Sequence, residues 1–190
     1  AFAGALATLL VIVAVAGSGR GIRSHTLLLV GVVVNAFFNA VIMFLLAVSD
    51  AGDLHSIMFW LMGDLSLARG RDILTVGAAL LAGFVVISLY ARPLNVIVTG
   101  EETARSLGVD PETAKKVLLV STSLMTGLAV SVSGTIGFVG LMVPHLMRMA
   151  FGPDHRLLLP ASLFFGAAFL VLADTIARTA LAPMELPVGV

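Results

Sequence analysis

Asp174 and Arg178 stand four residues apart inside a strongly apolar stretch of this 190-residue chain. On a helix that spacing puts both on one face, where carboxylate and guanidinium can pair. Ionisable groups in membrane-like sequence are functional candidates, and such a carboxylate could carry protons. Asn35 and Asn39 repeat the four-residue spacing in another apolar stretch, with Gly31 a turn earlier. An amide in lipid is costly unless bonded, so this face is expected to look inward, toward neighbouring helices or a polar path. His25, His55, His145 and His155 are scattered, without HExxH, a His pair at i,i+4 or a carboxylate cluster, so no metal site is expected. No GxxxxGKS/T loop is present to cradle ATP, and no GxSxG; Ser133 beside Gly134 makes no case for a nucleophile. The absence of cysteine excludes a disulfide framework, a Cys-ligated zinc and an iron–sulfur cluster.

The elements that must position these residues are membrane helices. The chain is 59% hydrophobic and 12% charged, with a mean hydropathy of +1.09, whereas a soluble domain is about 45–50% apolar and about 25% charged. The expected fold class is therefore an all-α integral membrane protein, a polytopic helical bundle. A net charge of zero gives no basic field for nucleic acid. A span needs about 20 apolar residues, which predicts helices over Ala1–Gly17, Thr26–Val48, Ile73–Ala91 and Val117–Val132, a short returning helix over Ile136–Ala150, and a last span over Pro160–Ala182. Pro160 suits a first helical turn. Ser56–Gly63 is too short to span and carries the single tryptophan, Trp60, so it is expected to lie at the interface. Both ends of the chain fall inside apolar runs, which reads as one transmembrane domain over residues 1–190, truncated at both ends.

Positive charge orients the bundle. With the short helix counted as a crossing, the loops Gly17–His25, Arg92–Lys116 and Pro144–Leu159 share one side and hold Arg20, Arg23, Arg92, Arg105, Lys115, Lys116, Arg148 and Arg156. The other side holds Arg69 and Arg71 against five acidic residues, so the first side is cytoplasmic. The long polar loop 92–116 contains an amphipathic helix, Gly100–Leu107, with Thr99 as cap, Glu101 and Glu102 favouring its N-terminal dipole, and Gly108 as stop. Asp110-Pro111-Glu112 starts another helix, and the two together would offer a docking surface on the cytoplasmic face.

The run Ser133–Arg148, SGTIGFVGLMVPHLMR, breaks an apolar stretch with Gly134, Gly137, Gly140 and Pro144. Irregular backbone at membrane depth survives only against protein or a water cavity, so this segment is expected to pack inside the bundle, its glycines at close helix contacts. His145 and Arg148 at its inner end suit helix capping, phosphate headgroups or a partner subunit. This run resembles the signature of the FecCD/BtuC family, permeases of ABC importers for iron–siderophores, haem and cobalamin. The runs WLMG (Trp60–Gly63), RPLN (Arg92–Asn95), DHRLLLP (Asp154–Pro160), ADTIAR (Ala173–Arg178) and ELPVGV (Glu185–Val190) agree in order and spacing.

The resemblance implies a BtuC-like fold of ten helices, of which this chain would supply the fourth to the ninth, in a bacterial or archaeal cytoplasmic membrane. It implies a transport subunit and not an enzyme, binding no cofactor itself, while two ATPase subunits bind ATP and Mg. Further partners would be a second permease copy and a substrate-binding protein, and ferric siderophore would be the leading cargo. Gly100, Glu101, Glu102, Ala104, Arg105, Leu107 and Gly108 match the family's ATPase-coupling motif. Arg178 takes the position that meets acidic residues of the binding protein, with a structural pair to Asp174 as the alternative. Asn35 and Asn39 would line the translocation path, against plain interhelical bonding, and Ser24 and His25 would fall at the cytoplasmic gate. The rival readings are a secondary transporter with Asp174 as proton carrier and a membrane-embedded enzyme using Asp174 and His145.

Overall fold

The computed structural model describes residues 2–16, 24–65, 70–180 and 186–189. Their regular structure is helical throughout: α1 (Phe2–Ala16), α2 (Ser24–Val48), α3 (Ala51–Met62), α4 (Gly70–Leu89), α5 (Ala91–Ile97), α6 (Glu101–Ser106), α7 (Pro111–Ser133), α8 (Val139–Phe151) and α9 (His155–Thr179). Four of these, over Thr26–Val48, α4, α7 and α9, are long and apolar enough to cross a bilayer. α7 packs on α1 and α4, α8 on α9, α2 on α1, and α5 reaches both α7 and α9.

Several boundaries differ from the sequence expectation. Residues 92–97 are not loop but helix α5, which follows α4 after a break at Tyr90. Pro93 explains the break: it has no N–H for the Leu89 carbonyl and its ring crowds that oxygen, yet it is harmless in the first turn of a new helix. The helix expected to start at Asp110 and the span expected over Val117–Val132 are one continuous helix, α7, with Asp110 as N-cap and Pro111 at its start. Pro160 does not open the last span. α9 begins five residues earlier at His155, capped by the Asp154 carboxylate, which accepts from the Arg156 N–H at 2.9 Å. The interfacial helix is also longer than expected, starting at Ala51.

Ties at both ends of the bundle fix the topology. At one end Asn95 of α5 bonds to Asp154 and His155 at the start of α9. At the other, Ser133 at the end of α7 accepts from the Asp64 N–H at 2.9 Å, and Gly63 and Met62 accept from Val188 and Gly189 beyond α9. α7 and α9 therefore run parallel, and the intervening chain must return across the bundle. α8 has 13 residues, about 20 Å at 1.5 Å per residue. Residues 134–138 before it are irregular, with φ +66° at Gly134 and +61° at Phe138, so the short helix makes most of the return across the roughly 30 Å hydrocarbon thickness. The short helix thus crosses, as the charge count requires. Arg92, Arg105, Lys115, Lys116, Arg148 and Arg156 all fall at the Asn95 end.

The core is a set of seams. Val143 and Met147 of α8 pack with Leu158 of α9, flanked by Val139 and Ala161. Small residues allow the α4–α7 crossing: a Cβ at Gly83 would stand 2.6 Å from the Met125 side chain. Most large apolar side chains point outward, among them Leu74, Phe164 and Met149, as expected for surfaces meeting lipid or further helices.

Candidate functional site

At the positively charged end of the bundle, α5, α6 and the start of α7 form one compact unit. Ala91, Ala104, Pro111 and Ala114 are buried where the three helices meet, and Ala104 has no exposed surface. Their small size lets α6 lie flat against its neighbours. Gly100 is the N-cap residue of α6 with φ +128°, a conformation that favours glycine. Thr99 does not cap α6 as expected; its hydroxyl donates to the Val96 carbonyl at 2.8 Å. Gly108, at φ +80°, ends the helix as expected. Its N–H donates to Arg105 at 3.0 Å and that of Val109 to Ala104 at 2.9 Å, the two bonds of a Schellman cap. Asp110 then opens α7, accepting from the Thr113 hydroxyl and the Glu112 N–H, which hold its carboxyl below the usual range.

Lys115 of α7 donates to Glu101 of α6 at 2.6 Å. That bond holds the Glu101 carboxyl below its ordinary value of 4.5 and fixes α6 across the 107–110 turn. With Ala104 turned inward, Glu102, Arg105, Leu107 and Gly108 are exposed. Leu107 is 66% and Val98 72% exposed, so the unit presents apolar side chains beside both signs of charge on a pinned backbone. Such a surface suits docking to another protein.

A second polar cluster lies beside it, and sequence reasoning did not single it out as a site. Asn95 Nδ2 donates to Asp154 Oδ1 at 2.6 Å, and Asn95 Oδ1 accepts from the His155 N–H at 2.9 Å and lies 2.6 Å from His155 Nδ1. Arg156 binds the same carboxylate at 2.9 Å. The Arg156 side-chain and backbone N–H groups, then Asn95, hold Asp154 well below the usual carboxylate range. The cluster borders a cavity of about 470 Å³ that Val98, Thr99, Arg148 and Pro153 also line. Asp154 carried a sequence signal as a cap residue before an apolar run; Asn95 carried none, because its partners are 59 and 60 residues away. His145 and Arg148 are exposed on α8.

At the opposite end Arg178 Nε donates to Asp174 Oδ2 at 2.8 Å, with the pair partly exposed. The four-residue spacing thus brings the two groups together on one helix face. Asn35 and Asn39 are exposed on α2, and none of the described residues covers them. Ser24 and His25 are the first residues of α2, and their side chains lie outside the described residues, as do Arg20, Arg23, Arg69 and Glu185. Among the described residues no group of three His, Cys, Asp or Glu could hold a metal.

The glycines of the 133–148 run separate into two kinds. Gly134 has φ +66°, and a Cβ there would fall 2.4 Å from the Trp60 carbonyl oxygen. Gly63 and Gly189 approach Thr135 and Met62 as closely, and the Thr135 hydroxyl donates to the Leu61 carbonyl. Gly137 and Gly140 meet nothing within 4 Å, so the close packing expected of them is not made by the described residues of this chain. Pro144 sits inside α8 and leaves the Gly140 carbonyl without its helical donor.

The model of the FecCD transport family matches residues 1–190. The cobalamin import system permease protein BtuC of Halobacterium salinarum is 46% identical over 190 residues, covering 100% of this chain and 51% of the relative. The hemin transport system permease protein HmuU of Yersinia pestis is 42% identical over 189 residues, covering 100% and 56%. A solved transporter assigned to the metal-chelate type of ABC transporter, in an inward-facing conformation, superposes with a TM-score of 0.86 at 31% identity, over 97% of this chain and 58% of that one. The chain therefore spans about half the length of the curated relatives it matches, and its bundle has the fold of an ABC transporter permease. With four apolar spans and a family match over its whole length, this chain belongs to the FecCD transport family, multi-pass proteins of the bacterial and archaeal cytoplasmic membrane.

Proposed function

We propose that this chain is the central part, helices four to nine of ten, of the membrane-spanning permease subunit of a binding-protein-dependent ABC importer. The observation that carries the reading is the pinned α6 at the positively charged end of a bundle that matches the FecCD family over residues 1–190. ATP and Mg are bound by two partner ATPase subunits, which dock on the exposed residues Glu102, Arg105 and Leu107. Closure of those subunits pushes the unit Gly100–Lys116, and two permease copies switch a path at their interface between outward- and inward-open states. Asn35 and Asn39 line that path on the uncovered face of α2, Ser24 and His25 stand at its cytoplasmic gate, and Arg178 meets an acidic group of the loaded binding protein. Asp174 is paired with Arg178, which removes the free carboxylate that a proton carrier needs.

The cargo we propose is a bulky metal chelate. Cobalamin and hemin are the substrates named for two relatives of this chain; a ferric siderophore belongs to the same chemical class and has no relative named for it among them. The test is reconstitution of the full-length permease with its ATPase and binding protein in liposomes, presenting cyanocobalamin, hemin and a ferric hydroxamate in turn. ATP-dependent accumulation of one of them is expected. Uptake that needs no ATPase and follows a proton gradient would refute the reading.

A further inference from the structure

We infer that Asn95 is a positioning residue for transport: its bonds to Asp154 and His155 form a link that makes α9 move with the coupling helix α6. The inference rests on the reading of α6 as the ATPase-docking helix and goes beyond it. α5 leads into α6 through the turn 98–100, and both pack on the start of α7. A displacement of α6 therefore acts on α5 directly. The Asn95 side chain spends its amide N–H on Asp154 at 2.6 Å and its carbonyl on the His155 backbone N–H at 2.9 Å and on Nδ1 at 2.6 Å. A carbonyl facing Nδ1 fixes that nitrogen as the protonated one. All three bonds grip the cap and first residue of α9, so they hold the end of the helix rather than its flank.

These bonds add a directional tie to the packing of α5 on α9. A cavity of about 470 Å³ beside them, lined also by Val98, Thr99, Arg148 and Pro153, leaves that side of the contact unfilled, so there the polar bonds hold the two elements together. α9 then carries displacement along its length, about 28–35 Å from His155 to the Asp174–Arg178 pair. Through Val143, Met147 and Leu158 it takes α8 with it.

The test uses the complete transporter, two full-length permease chains with two ATPase subunits, in lipid nanodiscs. Spin labels at Ser106→Cys on α6 and, in a separate sample, at Ala180→Cys beyond α9 report the distance between the two permease copies by double electron–electron resonance. Trapping with ATP and vanadate is expected to shift both distances by about 2 Å or more, the scale of interface helix movements. Asn95→Ala should keep the shift at 106 and lose most of the shift at 180. Asn95→Asp, which sets two carboxylates against each other, should do the same. The exchange Asn95→Asp with Asp154→Asn restores one donor and one acceptor across the gap and should restore the shift at 180, which a merely damaged fold would not do. Full movement at 180 in both single variants overturns the link, as does an immobile 180 in the unmodified transporter when 106 moves. An immobile 106 in the unmodified transporter instead overturns the docking reading of α6.

Discussion

Replacing Gly134 by alanine should unsettle the Trp60–Gly63 end of the bundle far more than the same change at Gly137 or Gly140. Gly134 combines φ +66° with ψ −164°, a region that non-glycine residues occupy at a cost of about 1–3 kcal/mol. A Cβ would also sit 2.4 Å from the Trp60 oxygen and 3.1 Å from Gly63 Cα, and both neighbours are backbone atoms that cannot rotate away. The 60–64 turn must then move off the end of α7. That movement breaks the Asp64–Ser133 bond and the Thr135–Leu61 bond, each worth about 0.5–1.5 kcal/mol net. The expected loss is about 2–6 kcal/mol in SDS-titrated unfolding from detergent micelles, followed by circular dichroism. At Gly137 a Cβ meets nothing, and the change should stay within about 0.5 kcal/mol. At Gly140, inside α8, alanine should be neutral or stabilising by up to about 1 kcal/mol. Equal stability of the Gly134 and Gly137 variants would refute the geometry.

Other perturbations test separate parts of the molecule. Gly108→Val forces a β-branched residue to φ +80° and should cost about 1–3 kcal/mol, read as faster hydrogen exchange at the Val109 amide; unchanged protection counts against the cap. Phe138 has φ +61° and is 84% exposed, so Phe138→Gly should relieve strain and raise the unfolding midpoint, with a lowered midpoint as the refuting result. The Glu101 carboxyl sits below 4.5 because of Lys115, so the α6–α7 bond contributes fully above that pH and is lost as pH falls through the depressed folded value. Lys115→Ala should therefore move the Glu101 carbon-13 titration upward toward 4.5; an unmoved curve would show that Lys115 is not the cause. Under the proposed function, Arg178→Glu should weaken association of the loaded binding protein at least about tenfold in a surface-binding assay, the scale of one lost charge-assisted contact, and undiminished binding would assign Arg178 to its pair with Asp174 alone.

The sequence was legible where the governing physics is local. Long apolar runs, the glycine stop at Gly108, the cap at Asp110 and the pairing of Asp174 with Arg178 all depend on residues a few positions apart. Legibility failed where a distant partner sets the outcome. Pro160 looked like a helix start because proline suits the first turn. The helix starts at His155 instead, where Asp154 caps it while held by Asn95 from 59 residues away. Thr99 looked like a cap, but the positive φ of Gly100 turns the chain so that the threonine hydroxyl reaches back to Val96. Arg92–Ile97 looked like loop because polar composition does not distinguish a solvated helix from a turn, and Pro93 is compatible with both.

Contacts between remote segments also explain why runs that offered no chemistry by themselves carry the family resemblance. WLMG, SGTIG and ELPVGV lie far apart in the chain, yet Gly63, Gly134 and Gly189 bring their backbones together at the external end. RPLN and DHRLLLP meet at the opposite end through Asn95 and Asp154. Each run supplies either a glycine that permits backbone contact or a polar side chain that bridges a gap, and neither kind of residue can be exchanged freely. The result is a parallel pair, α7 and α9, tied at both ends, with α8 folded back between the ties. α2 is held differently: it packs chiefly on α1, and none of its most apolar window is buried in the chain. Movement of α2 therefore breaks few bonds of this chain, whereas movement within the tied pair breaks several. Under the proposed function, that asymmetry suits a path at the Asn35–Asn39 face, with the tied helices shifting behind it.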